Sequence, residues 1–332
     1  MRHSSQRVLN QYGLQLAVFI TIVGILAITH PSLIGTSWLF ATLENFSFVG
    51  LLAVGLGVTI IAGELDMSVA SMATVAGVIS IQLQDLGWVP SILIATCLGV
   101  SLGLFQGYIV HRLQISSLVL TIGTLIILRG VSYVLSGNAP VRANSFEASD
   151  FFLTRWVFVS PGILFAALVF LLVGIFLSIS RLGRQIYAVG GARQEAIAAG
   201  VPVRRALLCS FAISAGCAAL AGSMAAVKGA SASPNPQGDI LVAALSAVLI
   251  GGISLYGGRG TIWSVVLGVA IVSVLGAGLT GIGAPTHISA LVSGGLLFAL
   301  LLIDFARDAR HKRMKGRAAL VPRRGLPRLA DA

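Results

Sequence analysis

NFSFVGLLAVGLGVTIIAGELDMSVASMATVAGVISIQLQ, residues 45–84, carries only two charges, Glu64 and Asp66, set two apart in Gly63-Glu64-Leu65-Asp66-Met67-Ser68. An ionised side chain at a bilayer centre costs roughly 2.5–3.5 kcal/mol on insertion scales. The two carboxylates therefore belong in a polar loop at a membrane surface, or in a water-filled or protein-lined interior, and the chain turns there. On either side lie apolar residues of the kind that form a helix across about 30 Å of hydrocarbon.

The rest of the chain repeats that pattern. Of its 332 residues, 56% are hydrophobic and 10% charged, the mean hydropathy is +0.96, and an ordinary soluble domain carries about 25% charged residues. This is the composition of a polytopic membrane protein. Backbone amides in lipid must be satisfied within the segment, so each span is expected to be a helix, giving an all-α transmembrane bundle. About ten spans are placed near 14–28, 45–62, 71–83, 91–110, 118–135, 160–179, 206–227, 240–256, 262–282 and 287–303. Arg2 and Arg7 before the first apolar run imitate a signal peptide, but no A-x-A-like site closes that run, so an uncleaved first span is expected.

Lys and Arg resist translocation and accumulate on the cytoplasmic side. Only Arg142, Arg155 and Lys228 fall in connections on one side, and Arg129 lies within the fifth span. The rest of the 22 gather on the side of the termini, which places both termini in the cytoplasm. Residues 1–304 are then a transmembrane permease-like domain and 305–332 a basic cytoplasmic tail. The net charge of +11 sits largely in that tail, directly after a span, where it anchors topology and meets anionic membrane lipids. No nucleic-acid partner is expected. Cys97, Cys209 and Cys217 lie in apolar spans without metal or redox spacing, so they read as small packing residues.

Two connections are long. Residues 136–159 mix Phe146, Phe151, Phe152, Trp156 and Phe158 with Arg142, Glu147, Asp150 and Arg155, a composition suited to the headgroup level. It reads either as an outer docking surface or as a passive interfacial helix. Residues 180–205 hold a short helical stretch, Ala192 to Ala199, bracketed by Gly190-Gly191 and by Gly200 and Pro202, residues that start and stop helices. Arg193, Gln194 and Glu195 among alanines suit docking into a partner's groove, with a plain surface loop as the competing reading. Gly99, Gly103 and Gly107 share one helical face, where they let backbones approach. The pairs Gly251-Gly252 and Gly257-Gly258 mark unwound or tightly packed chain.

A P-loop needs Gly-Lys followed by Ser or Thr. The three lysines, Lys228, Lys312 and Lys315, are followed by Gly229, Arg313 and Gly316. No HExxH is present either. The chain is not expected to be an enzyme or to hold a cofactor or metal, and any ATP that drives it must be hydrolysed by another polypeptide.

Four ordered segments resemble the ribose-type permeases of bacterial ABC sugar importers. TIIAGELDMSVAS, 59–71, is similar to that family's acidic signature, with Gly63, Asp66, Ser68 and Ser71 matching. LVLTIGTLIILRG, 118–130, matches at Thr121, Gly123, Thr124, Arg129 and Gly130. GRQIYAVGGARQEAIAAGVPV, 183–203, resembles the family's coupling loop, and LIGGISLYGGRGT, 249–261, its late glycine signature. Ala70 stands where the family has glycine, and Ser116-Ser117 where it commonly has proline.

The resemblance implies a permease with a second permease subunit, identical or similar, two cytoplasmic ATPase domains and a periplasmic sugar-binding protein. It assigns Gly190, Gly191, Arg193, Glu195, Ala196, Ala199 and Gly200 to the ATPase-coupling loop. Gly63, Glu64, Asp66 and Ser68 are expected at the cytoplasmic mouth, either coupling conformations or capping the third span. Gly251, Gly252, Gly257, Gly258 and Gly260 form the late glycine motif. Asn45, Gln106, Thr121 and Thr124 are polar residues able to line a pathway. Arg129 could join them, or snorkel or pair. The rival function is an ion-coupled secondary transporter, which usually keeps intramembrane carboxylates; here both carboxylates are expected at a surface.

Overall fold

A computed structural model describes residues 2–302 apart from 157, 158, 236, 237, 286, 289, 290, 293, 296, 297, 300 and 301. Eight of the 17 residues of the tenth expected span and all of the basic tail lie outside the described residues. The described chain is helical, with one two-residue ladder: α1 (Arg2–Thr29), α2 (Thr36–Ile61), α3 (Val69–Gln82), α4 (Trp88–Leu113), α5 (Ser117–Ser136), β1 (Val141–Arg142), α6 (Glu147–Leu153), α7 (Pro161–Ile179), α8 (Arg181–Gly191), α9 (Arg193–Ala198), α10 (Val203–Lys228), β2 (Ser231–Ala232), α11 (Gly238–Ile250) and α12 (Ile262–Gly281). Among the described residues, six helices are long and apolar enough to cross a membrane: α2, α4, α5, α7, α10 and α12. Three shorter apolar helical stretches, Gln15–Thr29, Val69–Gln82 and Ile240–Ile250, fall near the first, third and eighth expected spans.

Burial separates the centre from the rim. In the most apolar window of α2, 78% of residues are buried, and in α10 72%, against 17% in α5. α10 is the hub, packed along α4, α3 and α2, and its small residues make that possible. Ala206, Ser210, Ser214, Ala218 and Ala221 are all buried. α4 meets α10 through the expected glycine face. A Cβ on Gly103 would stand 2.3 Å from the Phe211 carbonyl oxygen, and one on Gly107 2.9 Å from that of Leu207. Gly103→Ala is expected to push α4 off α10 and destabilise the bundle by about 1–3 kcal/mol, the usual range for overpacking. A fall in the unfolding temperature of the detergent-solubilised protein would show it, and an unchanged one would contradict the close contact.

At one end of the bundle β1 pairs antiparallel with β2, Val141 opposite Ala232, so the long 136–159 connection is tied to the end of α10. It packs as a cap on that end. Trp88 stacks on Phe151 and Phe152 meets both rings edge-on, with centroids 5.1–5.6 Å apart, and Phe152 is buried while Phe146 and Trp156 are exposed.

At the other end two expectations need correction. Gly190-Gly191 do not start the short helix; they are the last residues of α8, and the break falls at Ala192, whose φ of −159° and ψ of 89° leave the helical region. α9 is also shorter than two turns, with six residues. Its far end closes as read from sequence. Gly200 takes φ +74°, its N–H donates to Ile197 O and the Val201 N–H to Ala196 O, the paired bonds of a Schellman ending. α11 likewise stops early, at Ile250 rather than near Tyr256, because Gly252, Gly257, Gly258 and Gly260 all adopt positive φ.

Candidate functional site

The residues between α2 and α3 are the core of the site. α3 has 14 residues, about 21 Å of helix, and it starts inside the bundle. The segment 62–68 therefore runs non-helically among other helices, an arrangement tolerated at membrane depth only where protein or water surrounds it. Side chains from three helices hold it, those of α5 by bonding its backbone. From α5, Ser117 Oγ accepts from the Leu65 N–H at 3.1 Å, and Thr121 Oγ1 accepts from the Met67 N–H while donating to Leu65 O, both at 3.1 Å. From α4, Gln106 Nε2 donates to Ser68 Oγ at 3.0 Å.

Asp66 sits at the middle of this web and is fully buried. Its Oδ1 accepts from the Ser68 N–H at 3.0 Å and the Ser68 hydroxyl at 2.6 Å, and its Oδ2 from the Ser214 hydroxyl at 2.7 Å. Ser214 lies eleven residues inside α10, about 16 Å along that helix. The expectation that both carboxylates lie at a surface is thus overturned for Asp66. The polar stretch is a pinned segment inside the protein, and charge between two spans does not by itself distinguish that from a loop. No side chain caps α3; Asp66 instead holds the N–H of Ser68, the residue that precedes it.

Glu64 points the other way. Its Oε1 lies 2.9 Å from Nη1 of Arg193, with side chains 8% and 45% exposed respectively. The contact lacks the alignment of a hydrogen bond, so it is held by charge. It joins the pinned segment to the first residue of α9.

Beside this pair, three glycine motifs far apart in sequence come together. The last carbonyl of α2, on Ile61, accepts from the Gly258 N–H at 2.8 Å, which satisfies one of the orphan acceptors that end any helix. Gly190 backs onto the same carbonyl so closely that a Cβ there would be 1.8 Å from Ile61 O and 2.9 Å from Gly258 N. Gly257 in turn packs on Gly63 and Gly190, where a Cβ would stand 2.8 Å from the Gly63 Cα and 2.6 Å from Gly190 O. Tyr187 on α8 donates its hydroxyl to Gly260 O at 2.9 Å. The GELDMS segment, the α8–α9 pair and the late glycine motif are one junction.

The outer surface of that junction is α9. Ala196 is buried and anchors it, while Arg193, Glu195, Ile197, Ala199 and Gly200 are exposed. Ile197, 59% exposed, is an apolar contact that the sequence reading passed over. Gly251 closes α11 against α12, a Cβ there falling 2.7 Å from Ser264 O. Thr261, at the end of the late motif, caps α12 in a reciprocal bond with Ser264.

The polar residues named as pathway candidates divide. Gln106 and Thr121 are buried and hold the pinned segment. Thr124 donates back to Leu120 O within its own helix. Arg129 is exposed and forms no ion pair among the described residues. Asn45 borders a cavity at the far end of the bundle. Sequence reasoning missed Ser117 and Ser214. Ser117 stands where the resembled family commonly has proline and uses its hydroxyl on Leu65, while a serine among the small residues of α10 gives no signal of its own.

Residues 38–301 match the family described as branched-chain amino acid transport system / permease component. The chain is 29% identical to the D-allose transport system permease protein of Escherichia coli strain K12 over 292 residues, 87% of this chain and 89% of that one. It is 26% identical to the ribose import permease protein of the same strain over 295 residues, 87% and 92% of the two chains. With the L-arabinose transport system permease protein of that strain it shares 30% identity over 319 residues, 90% and 91% of the two chains. No solved structure matches the chain. Because the family match runs from α2 past α12 and takes in all parts of the junction, the chain belongs to this family of transport-system permease components.

Proposed function

We propose that the chain is the membrane-spanning subunit of an ATP-binding-cassette importer that carries a sugar or sugar-like solute across the bacterial inner membrane. The observation that carries this reading is the junction itself. A short exposed helix, α9, is fastened through Gly190, Glu64 and Gly258 to a pinned segment deep in the bundle, so a force applied outside has a packed route inward. Relatives named for allose, ribose and arabinose transport supply the solute class.

The finer parts of the reading follow from charge and family. The bundle has about ten spans, residues 1–304 forming the permease domain and 305–332 a basic tail, with both termini and α9 on the cytoplasmic side. A periplasmic binding protein delivers solute to the end holding α6, β1 and β2. ATPase subunits grip α9 on the other side, using Glu195, Ile197 and the turn at Gly200. A second permease, identical or similar, completes the membrane part. ATP drives the cycle only if its bound state favours one arrangement of the junction over the other. Ion-coupled transport is the rival that the burial of Asp66 reopens. Three hydrogen bonds already hold that carboxylate, however, and the relatives named above are permease components of transport systems.

The test is purification of the tagged chain from its native membrane with ATP and vanadate, followed by mass spectrometry. A P-loop ATPase in stoichiometric amount is expected, and it should be lost on Glu195→Lys combined with Gly200→Ala, the latter forcing a side chain into a positive φ at about 1–2 kcal/mol. Recovery of the chain alone, with uptake persisting in ATP-depleted cells that keep an ion gradient, would refute the reading.

A further inference from the structure

The end of the bundle opposite the junction holds a cavity of about 420 Å³. Glu44, Asn45 and Phe48 of α2 line one side, and Phe152 of α6 with Met224 and Lys228 of α10 line the other. Inside it Lys228 Nζ donates to Glu44 Oε2, and Ser160 at the start of α7 donates to Glu44 Oε1. The two charged side chains are 28% and 12% exposed, respectively. A neighbouring cavity of about 220 Å³ shares Phe48 and Ala225 with the first and adds Thr74, Ser231, Ser233 and Asn235.

A partly buried ion pair is a weak source of stability, because desolvating both groups offsets most of their attraction. The geometry here has a different use. Among the described residues, Lys228 gives one of its three side-chain N–H donors to Glu44 and has no other side-chain partner, and Asn45 shows no hydrogen bond. The cavity therefore offers charged donors, carboxylate acceptors and an amide that both donates and accepts, with a net charge of zero. Phe48 and Phe152 supply flat apolar walls. Its volume lies within the roughly 300–1,000 Å³ of small-molecule sites. A neutral ligand dense in hydroxyls and with apolar C–H faces matches every one of these features. An anion or a cation would meet a charge of its own sign beside the opposite one.

We propose that this cavity is a solute-binding subsite of the import path, taking a neutral polyhydroxylated solute between the Glu44–Lys228 pair and Asn45. The proposal rests on the importer reading above and adds the place and chemistry of recognition within the permease. The smaller cavity continues the path past Phe48 toward α3 and α11.

Ala225 is exposed because it faces these cavities, so Ala225→Trp fills them without disturbing the buried side of α10. Glu44→Gln with Lys228→Gln removes both charges while leaving amides that can pair. The whole importer in proteoliposomes, with its ATPase and binding protein, would be supplied in turn with radiolabelled D-allose, D-ribose, L-arabinose and D-galactose. Uptake per ATP hydrolysed is expected to fall about tenfold in each variant, in the double variant through the loss of one hydrogen bond to a charged group and in Ala225→Trp through the loss of the space. If Ala225→Trp does not assemble, the double variant alone decides. An unchanged ratio of solute to ATP in the variants that assemble would overturn the subsite and leave the importer reading intact. ATP-dependent uptake of none of the four sugars by the unaltered protein would overturn the sugar reading, and the chemistry assigned to the cavity with it.

Discussion

Asp66→Ala is expected to remove most folded permease from the membrane. The substitution withdraws the acceptor for three buried donors: the Ser68 N–H, the Ser68 hydroxyl and the Ser214 hydroxyl. A buried donor left unmatched costs about 1–3 kcal/mol. The two hydroxyls can re-aim at nearby carbonyls, but the Ser68 N–H is fixed by the start of α3, and Gln106 loses the orientation of the hydroxyl it donates to. A loss of several kcal/mol is large against the roughly 5–15 kcal/mol by which domains are stable. Asp66→Asn separates charge from geometry. Its amide keeps one oxygen for Ser68 and turns an N–H2 toward Ser214 Oγ, which can accept instead of donating. The asparagine variant should therefore accumulate at reduced levels and show the sugar preference of the unaltered protein. Membrane levels by immunoblot and uptake of a sugar panel measure the two. Full levels of Asp66→Ala, or a changed sugar preference in Asp66→Asn at normal levels, would contradict a structural role.

Asp66 also shows where the sequence stops being legible. Its isolation in an apolar run correctly marks a break between two helices. Whether a break lies at a membrane surface or within the protein depends on which side chains surround it, and here these come from Ser117, Thr121, Gln106 and Ser214, at most 148 residues away in sequence from Asp66. Small polar residues in apolar helices give no periodic signal, so the web that holds the segment could not be read in advance. Local features were legible for local reasons. Gly200 ends α9 because a positive φ is needed there, and Gly99, Gly103 and Gly107 mark the α4 face because close helix contact requires the absence of a side chain at that spacing. Gly190-Gly191 look like a helix break in sequence, yet they lie in the last turn of α8. Glycine in a helix is also explained by close contact, and only the packed neighbour tells the two apart.

Gly190 and Gly191 turn that distinction into a second expected result. On helix propensity alone, alanine at either position should stabilise α8 by up to about 1 kcal/mol. Packing reverses the sign at one of them. A Cβ on Gly190 would lie 1.8 Å from Ile61 O and 2.8 Å from the Ala62 carbonyl carbon, both backbone atoms of the α2 terminus. No rotamer change can move them aside. Gly190→Ala must push α8 away from α2, which breaks the Gly258 N–H bond to Ile61 O and leaves an orphan acceptor at a helix end. A Cβ on Gly191 meets nothing nearer than the Gly258 Cα at 3.8 Å, an ordinary contact. The two variants differ by one methyl group on adjacent residues of the same helix, so any general effect on helicity or expression is shared. Gly191→Ala should assemble and transport as the unaltered chain does. Gly190→Ala should unfold at lower temperature by an amount corresponding to about 1–3 kcal/mol of overpacking. In assembled complexes it should also hydrolyse ATP without proportionate solute uptake, because the route from α9 to the pinned segment passes through that contact. Equal behaviour of the two variants in unfolding and in solute carried per ATP would show that α8 does not bear on the end of α2 and would remove the mechanical link between α9 and Asp66.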